Sequence, residues 1–395
     1  MAAADLFAGG DTPERRQAAR IYAAAAEQAA ALEPELTFRL SRIDVDSLAV
    51  VESVEQLERS YPHDAPALQL IDQAAPLDFN GFGEFSDRVG LQALSTLGSL
   101  CALRADLLSA RGRTEDAARA LTACVRFARA LSTFRRAQLS TRLLGSCRIL
   151  LRHGAVPAAA LADLQKSLTT LPDDDTLAAD ARAQRVRFLE WIQAPAEGPF
   201  EALLRRVMRP WIARANRQHL GTFDELVALA AQPWPRKLDV IRQRAERAAR
   251  EAAPPGAERR GIIARQFLSE GVAYGGFDAL SAALDLASRR VLVTALAIER
   301  FRADRGAPPA ALDALVPAYL PRMPLDPYSG NPIVYAPIPT GYRLYSVDRD
   351  QRDDGGAIYG VGSRTARQPP PRQPRDLGVL VELTQAPRIA RTPRN

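Results

Sequence analysis

Apolar residues recur every three to four positions along the first two-thirds of the chain, the period of an amphipathic helix. The clearest stretch is Thr114 to Ser132, where Ala117, Ala118, Leu121, Cys124, Val125, Ala128 and Leu131 form one stripe. Glu115 and Asp116 occupy its first turn, where the helix dipole favours acid, and Thr114 is placed to cap it. The segment before it, Asp87 to Ala110, carries Leu94, Leu97, Cys101 and Leu108. The link Arg111-Gly112-Arg113 is short enough to make the two an antiparallel hairpin, and Ala102, Ala105, Ala117 and Ala118 would let the helices approach closely. Leu161, Leu164, Leu168 and Leu171 repeat the pattern after Gly154 and Pro157. Pro172 to Asp175 ends that helix and caps the next, which runs through Phe188 and Leu189 to Ile192. Acidic capping explains Asp173, Asp174 and Asp175 more cheaply than metal ligation. Breaks at 194–199 and 254–256 bound further helices expected over 200–216, 223–231 and 235–252.

The C-terminal third changes period. A long helix is expected over Phe277 to Ala303, with Val291, Ala295, Ile298 and Phe301 on one face, and Arg305 to Pro309 ends it. A short helix, Ala310 to Leu315, precedes strands at Ile333 to Tyr335, Tyr342 to Ser346 and Ala357 to Val361. Leu377 to Leu383 is a further strand-like piece, placed to dock on the sheet edge. The expected fold is mainly α: helical hairpins resembling tetratricopeptide (TPR-like) pairs, then a small α+β domain of one long helix and an antiparallel sheet. The expected boundaries are an all-helical region over 1–275, the α+β domain over 276–363 and a Pro/Arg-rich tail over 364–395. No 34-residue recurrence marks the hairpins as a regular array.

Charge adds little. Of the 52 basic residues only Lys166 and Lys237 are lysine, and the formal net charge of +6 falls mostly in the tail after Arg364. Arg205, Arg206, Arg209, Arg214 and Arg217, with Trp211 and Trp234 nearby, read as a solvated helix face rather than a nucleic-acid patch. No nucleic-acid partner is expected. Cys101, Cys124 and Cys147 form no CxxC pair and read as small buried hydrophobes; a Cys124–Cys147 disulfide stays open if the chain is exported. The first residues lack a basic-then-apolar leader, and no window reaches the length of an uninterrupted membrane span.

Ala295 to Pro309 resembles the end of the spine helix in the major pseudopilin of type II secretion systems, with its Gly-x-x-Pro exit. Leu312 to Leu315 is similar to that family's short helix. Tyr319 to Pro327, Gly330-Asn331-Pro332 and Tyr335 resemble its Leu-Pro-x-Asp-Pro…Gly-Asn-Pro…Tyr loop. Gly341 to Val347, followed by Asp350 and Gly355-Gly356, resembles its last strand and acidic, glycine-rich turn. The resemblance spans about residues 277–362 and implies an α+β domain on a larger helical protein rather than a pilus subunit. It also implies a cell-envelope or periplasmic location, with membrane attachment only through a segment absent from this chain.

The family's turn binds calcium, so the resemblance implies a Ca²⁺ site at Asp350, with Asp353, Asp354 and Asp348 as further candidate ligands. Read from the residues alone, hard carboxylates beside Gly355 and Gly356 suit Ca²⁺, while a solvated acidic turn is the alternative. Arg349 and Arg352 are interleaved and offset part of the charge. Asp326-Pro327 reads as structural, its carboxylate bonding nearby N–H groups. The histidines, His63, His153 and His219, form no metal or triad pattern, and neither GxSxG nor a P-loop is present. The chain therefore reads as a non-catalytic interaction or scaffold protein with protein partners. The alternatives are an enzyme whose site is assembled on the helical region and, more weakly, nucleic-acid binding through the Arg-rich helices.

Overall fold

The computed structural model describes residues 12–31, 65–77, 91–129, 133–152, 155–171, 223–251, 262–358 and 376–382, with isolated positions between them. The described residues are mainly helical, with one small antiparallel sheet. Their helices are α1 (Pro13–Ala30), α2 (Pro66–Ala74), α3 (Leu91–Ala110), α4 (Thr114–Ala128), α5 (Thr133–Arg152), α6 (Ala158–Thr169), α7 (Arg236–Glu251) and α8 (Ile262–Arg305). None is long and apolar enough to cross a membrane.

Contacts divide the chain into two compact units, one of 1–8 with 172–283 and one of 9–171 with 284–395. The first has a small core in which Ala181, Leu226, Leu229 and Ile241 pack together. Its helical residues 223–230 and α7 lie where the apolar period places helices, and Lys237 sits over the Trp234 ring. Apart from Arg206, which is helical and exposed, the expected helix over 200–216 lies outside the described residues, as do the capping aspartates Asp173 to Asp175 and all three histidines.

In the larger unit α1, α3 and α5 pack side by side, α2 and α4 cover them as a second layer, and α6 packs on α4. Alanine makes this possible: Ala102, Ala105, Ala117 and Ala118 are at most 1% exposed, so the α3 and α4 backbones come close. Leu94, Leu97, Leu103, Leu121 and Leu144 fill the remaining space, each worth about 1.5–3 kcal/mol on burial. Tyr22 of α1 meets Phe79 edge-on at 5.5 Å and Phe127 of α4 at 5.4 Å, tying the first hairpin to the second. Thr12 caps α1 through the Arg15 N–H, and Pro13 follows at the position where a missing N–H costs nothing.

Thr114 does not act as the cap expected from its position. Residue Arg113 is the N-cap of α4 and makes no side-chain cap bond. The Thr114 hydroxyl instead donates to the Ala155 carbonyl at 3.0 Å, pinning the loop before α6. A tertiary acceptor thus outcompetes the local N–H groups.

From Leu284 onward, α8 belongs to the larger unit. A 3-10 turn at Leu312–Leu315 follows it, then strands β1 (Val334–Ile338), β2 (Gly341–Ser346) and β3 (Leu377–Glu382) in the order β1-β2-β3, all antiparallel. β3 lies within the segment expected as tail, where the strand-like run 377–383 stood out, and it also packs on α5. Its register needs Gly378, because a Cβ there would stand 2.2 Å from the Leu344 carbonyl oxygen. In the segment expected as a strand over 357–361, Ile358 makes a single bridge to Asp376, and 359–361 lie outside the described residues. The helix meets the sheet through Tyr342, whose buried hydroxyl donates to Glu299 at 3.0 Å. Arg302 grips the other Glu299 oxygen at 2.6 Å.

Candidate functional site

Three polar features of the larger unit are candidates: the acidic turn after β2, the Asp-Pro loop beneath it, and a charged groove on the second helical layer.

The turn runs from Asp348 to Gly356. Asp348 and Gln351 adopt positive φ, at 53° and 59°, and Gly355 and Gly356 follow at 70° and 75°. Gly356 is required twice over, since a Cβ would lie 2.9 Å from the Tyr345 ring. Among the candidate ligands, Asp350 is exposed and accepts the Arg352 N–H at 3.1 Å, closing a local turn. Asp353 accepts the Tyr345 hydroxyl at 2.9 Å and the Gly355 N–H at 2.8 Å. Asp348 is buried, and Asp354 is half-buried with its N–H directed at Asp376. The four carboxylates thus share one turn but serve different local partners. No three His, Cys, Asp or Glu side chains among the described residues converge as a metal-binding set.

Asp376, in the segment expected as tail, is the member of this cluster that sequence reasoning missed. It is 3% exposed and accepts the Gly356 N–H at 2.8 Å, so that the residue before β3 holds the turn after β2. Burial first, then the charges of Asp353 and Asp354, push its carboxyl up to about 6, against the pull of the Gly356 and Asp354 N–H groups. Its position immediately before the strand-like run was the available signal.

Asp326 is buried and accepts three bonds: from the Tyr328 N–H at 2.9 Å, the Ser346 hydroxyl at 2.8 Å and the Val347 N–H at 2.9 Å. It is therefore a structural post that clamps the loop to the end of β2, as its place before Pro327 suggested.

The groove lies between α2, α4 and α6 and encloses about 390 Å³. Its floor is Ala75, Thr122, Ala123 and Ala160, and its walls are charged, with Asp72, Asp163, Arg119 and Arg126 among them. Arg119 pairs with Glu115 at 3.3 Å and Asp116 at 3.0 Å on the exposed face of α4. Arg126 donates to the Ala75 carbonyl at 3.4 Å across the groove. Small side chains on the floor and both signs of charge on the rim suit an extended polypeptide more than a small apolar ligand.

Two buried ionic clusters lie beneath. Asp285 of α8 is 1% exposed and sits between Arg136 at 2.7 Å and Arg289 at 3.2 Å, with the Ser140 hydroxyl donating to its other oxygen at 2.7 Å. Burial raises its carboxyl, but Arg136, Arg289 and Ser140 outweigh that and hold it below its ordinary value. Asp106 of α3 is fully buried, with Arg142 3.6 Å away. Here burial prevails over Arg142 and Ser146 and pushes the carboxyl up to about 6. Both clusters join helices rather than open to a pocket.

No family model, curated protein or solved structure matches the chain.

Proposed function

We propose that the chain is a non-catalytic interaction or scaffold protein of the bacterial cell envelope, working alongside type II secretion or pilus-like assemblies. The observation that carries this reading is the charged, open groove on a two-layer helical stack to which a helix-and-sheet unit is joined. In the finer reading, the helices form TPR-like hairpins such as α1–α2 and α3–α4, and residues 276–363, with β3 completing the sheet, are a pseudopilin-like domain. The layered order of the helices supports the first. The Glu299–Tyr342 latch, the Asp326 clamp and the glycine-closed acidic turn support the second.

The partner is a polypeptide that offers both signs of charge to Asp72, Asp163, Arg119 and Arg126. The test measures binding of the purified full chain to purified pseudopilin subunits from the same genome, before and after reversing Arg119 and Arg126 to Glu. Saturable binding that weakens tenfold or more on reversal supports the reading. Absence of binding, or binding indifferent to reversal, counts against it. The same chain should pass through immobilised DNA at low salt, since phosphate contacts are strongest there.

Calcium belongs to the proposal as a stabiliser of the acidic turn. Burial is the main cause of the raised Asp376 carboxyl and the charges of Asp353 and Asp354 add to it, and a divalent cation would offset that added repulsion.

A further inference from the structure

The charged side chains that line the groove between α2, α4 and α6 are not equally available to a partner. Asp72 already holds Arg104 of α3 at 2.8 Å. Arg119 is committed to Glu115 and Asp116 on its own helix, at 3.3 and 3.0 Å. Arg126 and Asp163 differ from these. Arg126 stands two turns on from Arg119 along the same side of α4. It donates to the Ala75 carbonyl at 3.4 Å, at the C-terminal end of α2, where the helix dipole favours a cation. That bond orients the guanidinium and uses only part of its donor fork. No carboxylate among the described residues pairs with it. Asp163 on α6 is exposed and makes no hydrogen bond or ion pair with any described residue. The groove's floor includes Ala123 and Ala160, whose methyl groups let a partner's backbone lie close while its side chains reach the walls.

We propose that Arg126 and Asp163 set the specificity of the groove: its partner is a polypeptide segment that brings a carboxylate to Arg126 and a basic side chain to Asp163. The proposal rests on the reading of the groove as a polypeptide site and names the two side chains that choose the partner. A carboxylate can accept parallel N–H bonds from the Arg126 fork. Arg119 and Asp72 act as struts between helices, since each can engage a partner only by releasing the group it already holds. A segment with charge of one sign meets repulsion at one wall whichever way it lies, because α4 offers the unpaired cation and α6 the unpaired anion. A polyanion such as nucleic acid is turned away by Asp163, Asp72 and Glu115 on the same rim.

The probe is a random dodecapeptide library displayed on phage and selected on the immobilised full chain. The recovered peptides should each carry both an acid and a base. The tightest of them, made synthetically, should lose roughly tenfold or more in affinity on Arg126→Glu or Asp163→Arg. Changing the peptide's acid to Lys should restore binding to Arg126→Glu, and changing its base to Glu should restore binding to Asp163→Arg. Arg119→Gln should leave the charge preference unchanged. Asp163 holds nothing in the fold, so Asp163→Arg stands as the test even where Arg126→Glu disturbs the end of α2, and far-UV circular dichroism checks both variants. Recovery of no peptide, peptides of one charge sign, affinity indifferent to Asp163→Arg, or failure of the compensating change to rescue it would overturn the inference. A charge switch in the peptides without binding to pseudopilin subunits would remove the envelope reading alone. Pseudopilin binding without a charge switch would remove this inference alone.

Discussion

Asp285→Ala is the most informative single change. It takes from Arg136 and Arg289, which are 5% and 4% exposed at their side chains, the carboxylate they share at the junction of α5 and α8. It also removes the acceptor of the Ser140 hydroxyl. Breaking a buried ion pair by deleting one partner costs about 3–5 kcal/mol, because the uncompensated charge stays in the interior. With a urea slope of about 3 kcal/mol per molar, the midpoint of the larger unit's transition should fall by about 1 M or more. Far-UV circular dichroism in urea reads this, with Asp285→Asn as a milder companion that keeps an oxygen for Ser140. The pH dependence follows from the depressed carboxyl. Its contribution is fully present above the unfolded value of about 3.9 and is lost as pH falls through the folded value. The penalty should therefore be constant between about pH 5 and 8 and shrink below about pH 4. Replacing all three charges together with Met, Leu and Met should restore or exceed the native midpoint, since the desolvation cost of the cluster disappears with it. A midpoint within 0.2 M of native for Asp285→Ala would show that these charges do not hold the two elements together.

Other substitutions test the α+β part. Asp326→Ala leaves three donors without their acceptor and should cost about 3 kcal/mol or more, with faster hydrogen exchange at Tyr328 and Val347. Gly378→Ala should separate β2 from β3, seen as loss of exchange protection at the Tyr342 and Leu344 amides, because its Cβ would meet the Leu344 oxygen at 2.2 Å. Asp106 and Asp376 both titrate near 6 when folded and near 3.9 when unfolded, so the folded chain binds more protons between those values. Stability should fall as pH rises from about 4 to 6, and Asp376→Asn should remove its own share of that slope in urea titrations at several pH values. If the acidic turn binds calcium, excess Ca²⁺ should raise the melting midpoint above that in EDTA, and Asp353→Asn should weaken the shift; identical midpoints would remove calcium from the proposal.

Much of the local structure was legible. The 3-4 spacing of Leu161, Leu164 and Leu168 marks α6, and all three are buried along one face. The apolar stripe from Ala117 to Ala128 marks α4. The run Tyr342 to Ser346 after Gly341 marks β2, and the strand-like run at Leu377 marks the third strand despite its basic surroundings. The long helix extends further than its expected bounds, from Ile262 to Arg305. Its end at Gly306 was readable because glycine there adopts φ 82°.

Periodicity, turn residues and capping preferences depend on neighbours a few positions apart, and so the amino-acid order alone determined where helices, strands and tight turns form, and that an Asp before Pro would hold its own loop. Partners far apart in the chain were decided only by tertiary structure. Thr114 donates to Ala155 rather than capping, Arg136 finds Asp285 across 149 positions, and Asp376 holds a turn that ended 20 positions earlier. Those pairings arise from the burial of polar groups, each of which must find a partner wherever the packed helices and strands bring one within reach.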